Sequence, residues 1–295
     1  MYAEILPRAS KSIVREFSKK IFDLFLFTSL FVSCCAVIML YQTYALIIEK
    51  PLNIYLAAFV FFSTVCSYNF HWALTPSSVA PSQRLQWDRK HKSYHLLLSM
   101  AGFLGAAVFF FYFIEKWYYI MPSAVLTFLY SAPKIPLPFF QGLKKVAIGK
   151  TIFLALIWAY VTSGLPVLIE DALSKRAILF FIGQFFFIYS ICILFDFRDR
   201  EDDKADGIRS MITYFNEKGV DILFTISVVV FIIVCLWLRQ TGLSWVNILL
   251  LLIPAWWLIS LYKYAKRNFS DYLYYFVLDG LMMFSGLLLW LVNRF

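Results

Sequence analysis

Apolar runs close to twenty residues long recur through this chain, at 22–41, 52–70, 95–114, 146–167, 177–195, 220–238, 245–262 and 272–291, with a shorter one at 117–130. A hydrocarbon core about 30 Å thick takes roughly 20 apolar residues to cross as a helix. Each run is therefore read as one crossing, which gives nine. Open loops and sheet edges cannot face lipid, because their backbone groups would find no hydrogen-bond partners there. The expected fold is an all-α integral membrane protein, a single helical domain over residues 1–295 in two approximate halves, 22–145 and 146–295.

Composition agrees. Hydrophobic residues make up 61% of the chain, charged ones 15%, and mean hydropathy is +0.73, well away from an ordinary soluble domain. The five cysteines are odd in number, lie inside apolar runs and include the adjacent pair Cys34 and Cys35, so they read as small buried hydrophobes and not as a disulfide framework. Residues 1–21 alternate Ile13, Val14, Phe17 and Ile21 with Lys11, Arg15, Lys19 and Lys20. That spacing predicts an amphipathic helix on the membrane surface, retained and not cleaved as a signal.

The net charge of +9 is distributed unevenly. Parsed into nine crossings, twenty lysines and arginines fall in the amino terminus and the even-numbered loops, and six (Lys50, Lys116, Lys175, Arg176, Arg239 and Arg294) fall on the other side. Cationic loops stay in the cytoplasm. The expected topology is thus an amino terminus inside and a carboxy terminus outside, in a cell inner membrane, and the charge calls for no nucleic acid.

One stretch carries chemistry. Six of the eighteen acidic residues lie between Asp196 and Asp206, at the exit of an apolar run. If the helix continues, Asp196, Asp199 and Asp203 share one face at i, i+3 and i+7. Three carboxylates on one face repel one another unless a cation joins them. A hard divalent ion such as Mg2+, which takes carboxylate oxygens and completes its shell with water or phosphate, suits that role.

DFRDREDDKADGIRS, from Asp196 and its neighbours to Ser210, resembles the second aspartate-rich motif of the UbiA-type intramembrane prenyltransferases, with Asp196, Asp199, Asp203, Gly207, Arg209 and Ser210 matching position by position. LYSAPKIP, at Leu129 to Pro136, is similar to the segment that ends the family's fourth helix. The resemblance implies a Mg2+-dependent transferase that moves an isoprenyl group from its diphosphate to a lipophilic, aromatic acceptor. It implies Asp196, Asp199 and Asp203 as metal and diphosphate ligands, Asn69 as a contribution from the first loop, Lys134, Arg209 and Arg84 as phosphate-binding cations, and Tyr130 and His71 as cavity lining. Its partners are the isoprenyl diphosphate, the acceptor and membrane lipid.

The first motif departs from the family pattern. In YNFHWALTPS the asparagine survives as Asn69, but Phe70, Ala73 and Ser77 stand where carboxylates are expected. A single imidazole, His71, suits Mg2+ poorly. Either Arg84, Arg89, Lys90 and Lys92 replace a metal, since arginine grips phosphate bidentately, or ionisation is lost and the chain is an inactive relative that binds isoprenoid lipid or a partner protein. For those four cations, ordinary positive charges beside anionic headgroups are the simpler reading.

Lys144 and Lys145 are weaker phosphate candidates than Lys134. Lys150, Asp23 and Asp279 lie within or near spans, where a structural pairing and a substrate role weigh equally; His91 and His95 read as solvated loop residues. The acidic cluster sits at a helix exit and not deep in the core as a pump would place it. No twelve-residue calcium loop, G-x-S-x-G or Walker-type loop is present.

The topology is testable with engineered glycosylation acceptors. One placed in the 198–210 loop is expected to stay unmodified and one appended after Phe295 to be modified; the reverse pattern would overturn the orientation.

Overall fold

The computed structural model describes residues 5–75, 82–135, 150–205 and 211–294, and every regular element among them is helical. In chain order these are α1 (Ile5–Phe27), α2 (Leu30–Thr43, continued by a π turn, Tyr44–Ile48), α3 (Ile54–Ala73), the short α4 (Gln83–Lys90), α5 (Lys92–Phe110) and α6 (Trp117–Ser131). The second half holds α7 (Lys150–Ala159), a π turn (Tyr160–Gly164) and α8 (Leu165–Ile169), then α9 (Lys175–Arg198), the short α10 (Arg200–Ala205) and α11 (Met211–Tyr214), α12 (Glu217–Leu238), α13 (Trp245–Ala265), a third π turn (Leu273–Leu278) and α14 (Asp279–Val292).

Polar residues placed just before the apolar runs start several of these helices. Asn53 accepts the N–H groups of Tyr55 and Leu56 to cap α3, Ser174 accepts that of Ala177 at α9, Asn216 that of Gly219 at α12 and Ser244 that of Asn247 at α13. Each satisfies a donor that the first turn of a helix otherwise leaves bare.

Eight helical stretches among the described residues are long and apolar enough to cross a bilayer. The runs at 95–114 and 117–130 fall together in one of them, the 40-residue stretch Lys92–Ser131, about twice what a single crossing needs. Its middle is broken where the chain tightens into a 3-10 turn, Phe111–Lys116, and Phe113 leaves helical geometry (φ −121°, ψ 21°).

Ion pairs show where that break sits. Lys116 bonds Asp171 and the Ile169 carbonyl, both at 2.6 Å. Close by in the chain, Glu170 accepts from Tyr44 (2.8 Å), Lys50 (3.2 Å) and Asn53 (3.3 Å), while Arg176 ties Glu49 to the Thr241 carbonyl. Lys50, Lys116 and Arg176, assigned to one side by counting charges, are thus gathered at one end of the bundle. After α6 the chain is back at the other end, where Lys134 meets the last turn of α3.

α9 is the central helix. It packs against α7, α12, α13 and α14, and buries Phe180, Phe187, Ile188, Ile191, Ile193 and Leu194. α5 lies at the edge, with Leu97, Met100, Phe103 and Leu104 exposed, as a lipid-facing surface requires. Among the described residues its closest packing is on α3, and glycine makes that contact: a Cβ on Gly102 would stand 2.6 Å from the Cys66 nitrogen and 2.8 Å from the Phe62 oxygen. Small residues let membrane helices approach this way where no hydrophobic force acts between them.

The entry to the first crossing differs from expectation. The run at 22–41 predicts one span, whereas α1 ends at Phe27 and Ser29 turns the chain in the left-handed region (φ 63°). The crossing is Leu30–Ile48. The turn is held from outside: Asn69 donates to the Thr28 carbonyl, and Arg84 to the Phe27 carbonyl and the Ser29 hydroxyl.

Replacing Gly102 by leucine is expected to push α5 off α3 and destabilise the fold by about 1–3 kcal/mol, read as a lower melting temperature in detergent; Gly280, whose Cβ would meet only Phe31 at 3.4 Å, should tolerate alanine.

Candidate functional site

Helical bonding continues beyond the apolar part of α9. The Asp199 N–H bonds the Phe195 carbonyl at 3.0 Å, and the Asp203 N–H bonds the Asp199 carbonyl at 2.9 Å. The three aspartates therefore keep near-helical spacing, with a slight break at Asp199 between α9 and α10. Two of them share a cation. Lys150 Nζ, at the first residue of α7, lies 3.1 and 3.3 Å from the two carboxylate oxygens of Asp203 and 3.9 Å from Asp196 Oδ1. Its neighbour Thr151 donates its hydroxyl to Asp196 Oδ2. Asp199 turns instead to Arg198, whose Nε donates to Oδ1 at 2.8 Å. Arg198 also donates to the Tyr275 hydroxyl at 2.9 Å, and its guanidinium lies 4.6 and 4.9 Å from the ring centres of Tyr274 and Tyr275.

The facing wall comes from the ends of α3 and α6. Lys134 Nζ lies 2.6 Å from both His71 Nε2 and Thr75 Oγ1. With the ammonium donating to Nε2, the imidazole proton falls on Nδ1, 3.2 Å from Ser131 Oγ. Tyr130 stacks on the same imidazole (5.2 Å, 22°).

Lys134 is in electrostatic reach of Lys150, Asp199 and Asp203, so the space between the two walls is narrow enough for charges to act across it. Tyr68, Tyr130, Tyr275 and Asp279 are each largely enclosed by protein and keep some accessible surface. Burial, with Lys150 nearby, brings the Lys134 ammonium down to about 7. Burial also raises the Asp203 carboxyl to about 6 against the pull of Lys150. The Asp199 carboxyl is pushed up by burial too, but Arg198 outweighs that and leaves it below the usual carboxylate range.

Asn69 lies outside this space. Fully buried, it donates to the Thr28 and Val65 carbonyls (2.9 and 2.8 Å), and its oxygen faces His95 Nδ1 at 2.8 Å. Both amide donors are used, so none remains for a diphosphate. His95, expected in a solvated loop, is wholly buried and joins Asn69 to Asp88; His91 stacks on Trp87. Arg84 is 3% exposed, with its guanidinium 4.0 Å from the Trp72 ring centre and 4.3 Å from that of Tyr275. Its hydrogen bonds run to the α1–α2 turn and its backbone N–H to Asp271. Asp23 accepts from the Tyr272 hydroxyl. Arg209, with Gly207 and Ser210, and Lys144 with Lys145, lie outside the described residues.

Several groups in the site had little weight in the sequence. Lys150 had the clearest signal, as the one cation placed inside a span, where charge needs a reason. Arg198, counted above only as a loop charge, is a partner of Asp199. Thr75 and Thr151 carried no signal, since a hydroxyl beside an apolar run is common.

A divalent cation can be tested against these donors. Among the described residues no group of three or more acidic, histidine or cysteine side chains is set to hold a metal, and Lys150 and Thr151 already engage Asp203 and Asp196. Asp199 uses one oxygen on Arg198. What remains is the second oxygen of Asp199, so a hard cation would draw one protein ligand here and fill the rest of its shell with phosphate oxygens and water.

The UbiA prenyltransferase family model matches residues 75–285, and the chain belongs to that family. The function is of the prenyltransferase type in general, and the fold an all-α membrane protein of that kind. The match begins beyond Asn69 and takes in the whole acidic stretch. No curated protein and no solved structure matches the chain.

An anion entering this space favours the protonated form of Lys134, and Asp203 gains its repelling charge as pH rises through about 6. Pyrophosphate affinity is therefore expected to fall as pH rises through about 7, by up to about tenfold per pH unit. Calorimetric titration checks it: Lys134→Met should bind more weakly and show a flatter profile between pH 6.5 and 8.

Proposed function

We propose that this protein transfers an isoprenyl group from an isoprenyl diphosphate to a lipophilic, aromatic acceptor inside the membrane. One observation supports this most: Lys134 stands within electrostatic reach of Lys150, Asp199 and Asp203 at one end of the bundle, with Lys150 paired to Asp203 on the opposite wall. The diphosphate head would lie between the two lysines. Lys134, held by His71 and Thr75, presents an ammonium to the leaving phosphate, and Lys150 offsets the carboxylates so that an anion can approach. Preorganised charge of this kind stabilises a leaving group as it departs. Tyr130, Tyr68 and Tyr275 offer ring faces that favour an allylic cation and an apolar lining for the lipid tail.

A hard divalent cation, Mg2+ by donor chemistry, would be held by Asp199 with phosphate oxygens and water, and when bound it supplies further neutralisation of the departing diphosphate. Asn69 and Arg84 act here as positioning residues that fix the α1–α2 turn against α3. Arg209 and the residues around it are retained as phosphate contacts on the family motif alone. The cation split of the loops supports a site that opens to the cytoplasm, in an inner membrane.

An inactive lipid-binding relative is the second reading. It is favoured by the lack of carboxylates at Phe70, Ala73 and Ser77 and by the engagement of Asp196 and Asp203 with Lys150 and Thr151.

Pyrophosphate release decides between them. Purified protein given Mg2+ and geranyl, farnesyl or geranylgeranyl diphosphate is expected to release pyrophosphate, and Asp199→Ala to slow release by about a hundredfold or more. No release from any donor, with isoprenoid lipid still bound, would establish the inactive relative.

A further inference from the structure

Asp279 is a carboxylate inside a membrane span, the first residue of α14 and next to the π turn Leu273–Leu278. Ionisable residues are rare in spans and face the interior when they occur, and π turns are frequent beside functional positions. Four residues after Tyr275, it lies about 6 Å of helix rise deeper than the Arg84–Tyr275–Arg198 layer. Toward the far end, six residues on, Ser285 bonds Gln42 at 2.9 Å and closes the contact between α14 and α2.

The charged and titratable groups around Asp279 are Cys35 on α2, Tyr68 on α3, Arg84 on α4, and Cys192 and Arg198 on α9. Among the described residues it makes no hydrogen bond or ion pair, and it keeps accessible surface although enclosed. The Tyr68 hydroxyl, in electrostatic reach of Asp279, accepts from Trp158 Nε1 at 2.9 Å and keeps its own proton to donate. A carboxylate without a partner, beside a hydroxyl donor and below the cationic layer, can take a proton from a polar group at the end of an apolar molecule.

We infer that Asp279 is the general base for the acceptor, receiving the proton of a phenolic hydroxyl held in the membrane-buried part of the cavity. This rests on the transferase reading above. In the step, the allylic C–O bond breaks with its electron pair leaving on the diphosphate. The acceptor's nucleophilic atom supplies the pair for the new bond to the allylic carbon. The phenolic proton passes to an Asp279 oxygen and returns to solvent as the product leaves.

The test uses the full-length protein in nanodiscs, with geranyl, farnesyl and geranylgeranyl diphosphate and a series of para-substituted phenols of graded acidity. Asp279→Asn is expected to cut transfer to unsubstituted phenols about a hundredfold or more. Its pyrophosphate release without acceptor should match wild type, and transfer to nitrophenols already ionised at the assay pH should recover. Transfer at wild-type rates by Asp279→Asn overturns the inference and leaves the transferase reading intact. A loss that ionised phenols do not relieve also overturns it, since it marks a packing role. If Asp279→Asn does not fold, Asp279→Glu decides: it keeps the carboxylate and is expected to transfer within about tenfold of wild type, and inactivity in a stable Glu variant overturns the inference. A wild type that prenylates no phenol from any donor overturns this inference, and one that also releases no pyrophosphate overturns the transferase reading with it.

Discussion

Carboxylates at the end of a membrane helix need cations, and that need organises one whole end of this molecule. Asp196 and Asp203 are both about 6% exposed. Charges taken this far out of water are costly unless paired and hydrogen-bonded. Lys150, Thr151 and Arg198 meet the requirement, and in doing so they join α7 to α9 and bring the π turn ahead of α14 to the site through Tyr275. The acidic stretch is thus a structural joint as well as a candidate anion site, and changes to it act on both.

The two ends of the bundle solve different problems. At one, Glu170 gathers Tyr44, Lys50 and Asn53, with Lys116 on Asp171 and Arg176 on Glu49 close by, which ties the loops together. At the other, charges face an interior space that aromatic rings border. The first loop has no carboxylates at Phe70, Ala73 and Ser77, and what it brings is His71 and Thr75, which hold Lys134. A wall that in the family pattern is acidic is here cationic. On the reading proposed above, the chain's own lysines take over part of the anion binding that metal would otherwise supply.

Much of the fold was legible in the sequence. Runs of about twenty apolar residues leave few alternatives in lipid, and Lys50, Lys116 and Arg176, three of the six cations assigned to the far side, are tied into one cluster of loop contacts. The first crossing was misplaced by about eight residues at its start. Phe22, Leu24, Phe25, Leu26 and Phe27 are as apolar as any span, and the break at Ser29 depends on Asn69 and Arg84, which arrive from 40 and 55 residues away. Of the candidate site, Asp196, Asp199, Asp203, Lys134, His71 and Tyr130 border one region, while Asn69 and Arg84 serve the scaffold. A motif match fixes residue types along the chain, but it does not say which hydrogen bonds already use them.

The sequence by itself determined an all-helical membrane protein and an acidic face that demands a cation, because hydropathy and helical spacing are properties of local sequence. Which cation answers that demand was decided by tertiary structure alone. Lys150 is 46 residues from Asp196 in the chain, and only the packing of α7 on α9 puts its ammonium between two carboxylates. The same packing left Asp279 enclosed without a hydrogen bond or ion pair among the described residues, which no spacing along the chain could have shown.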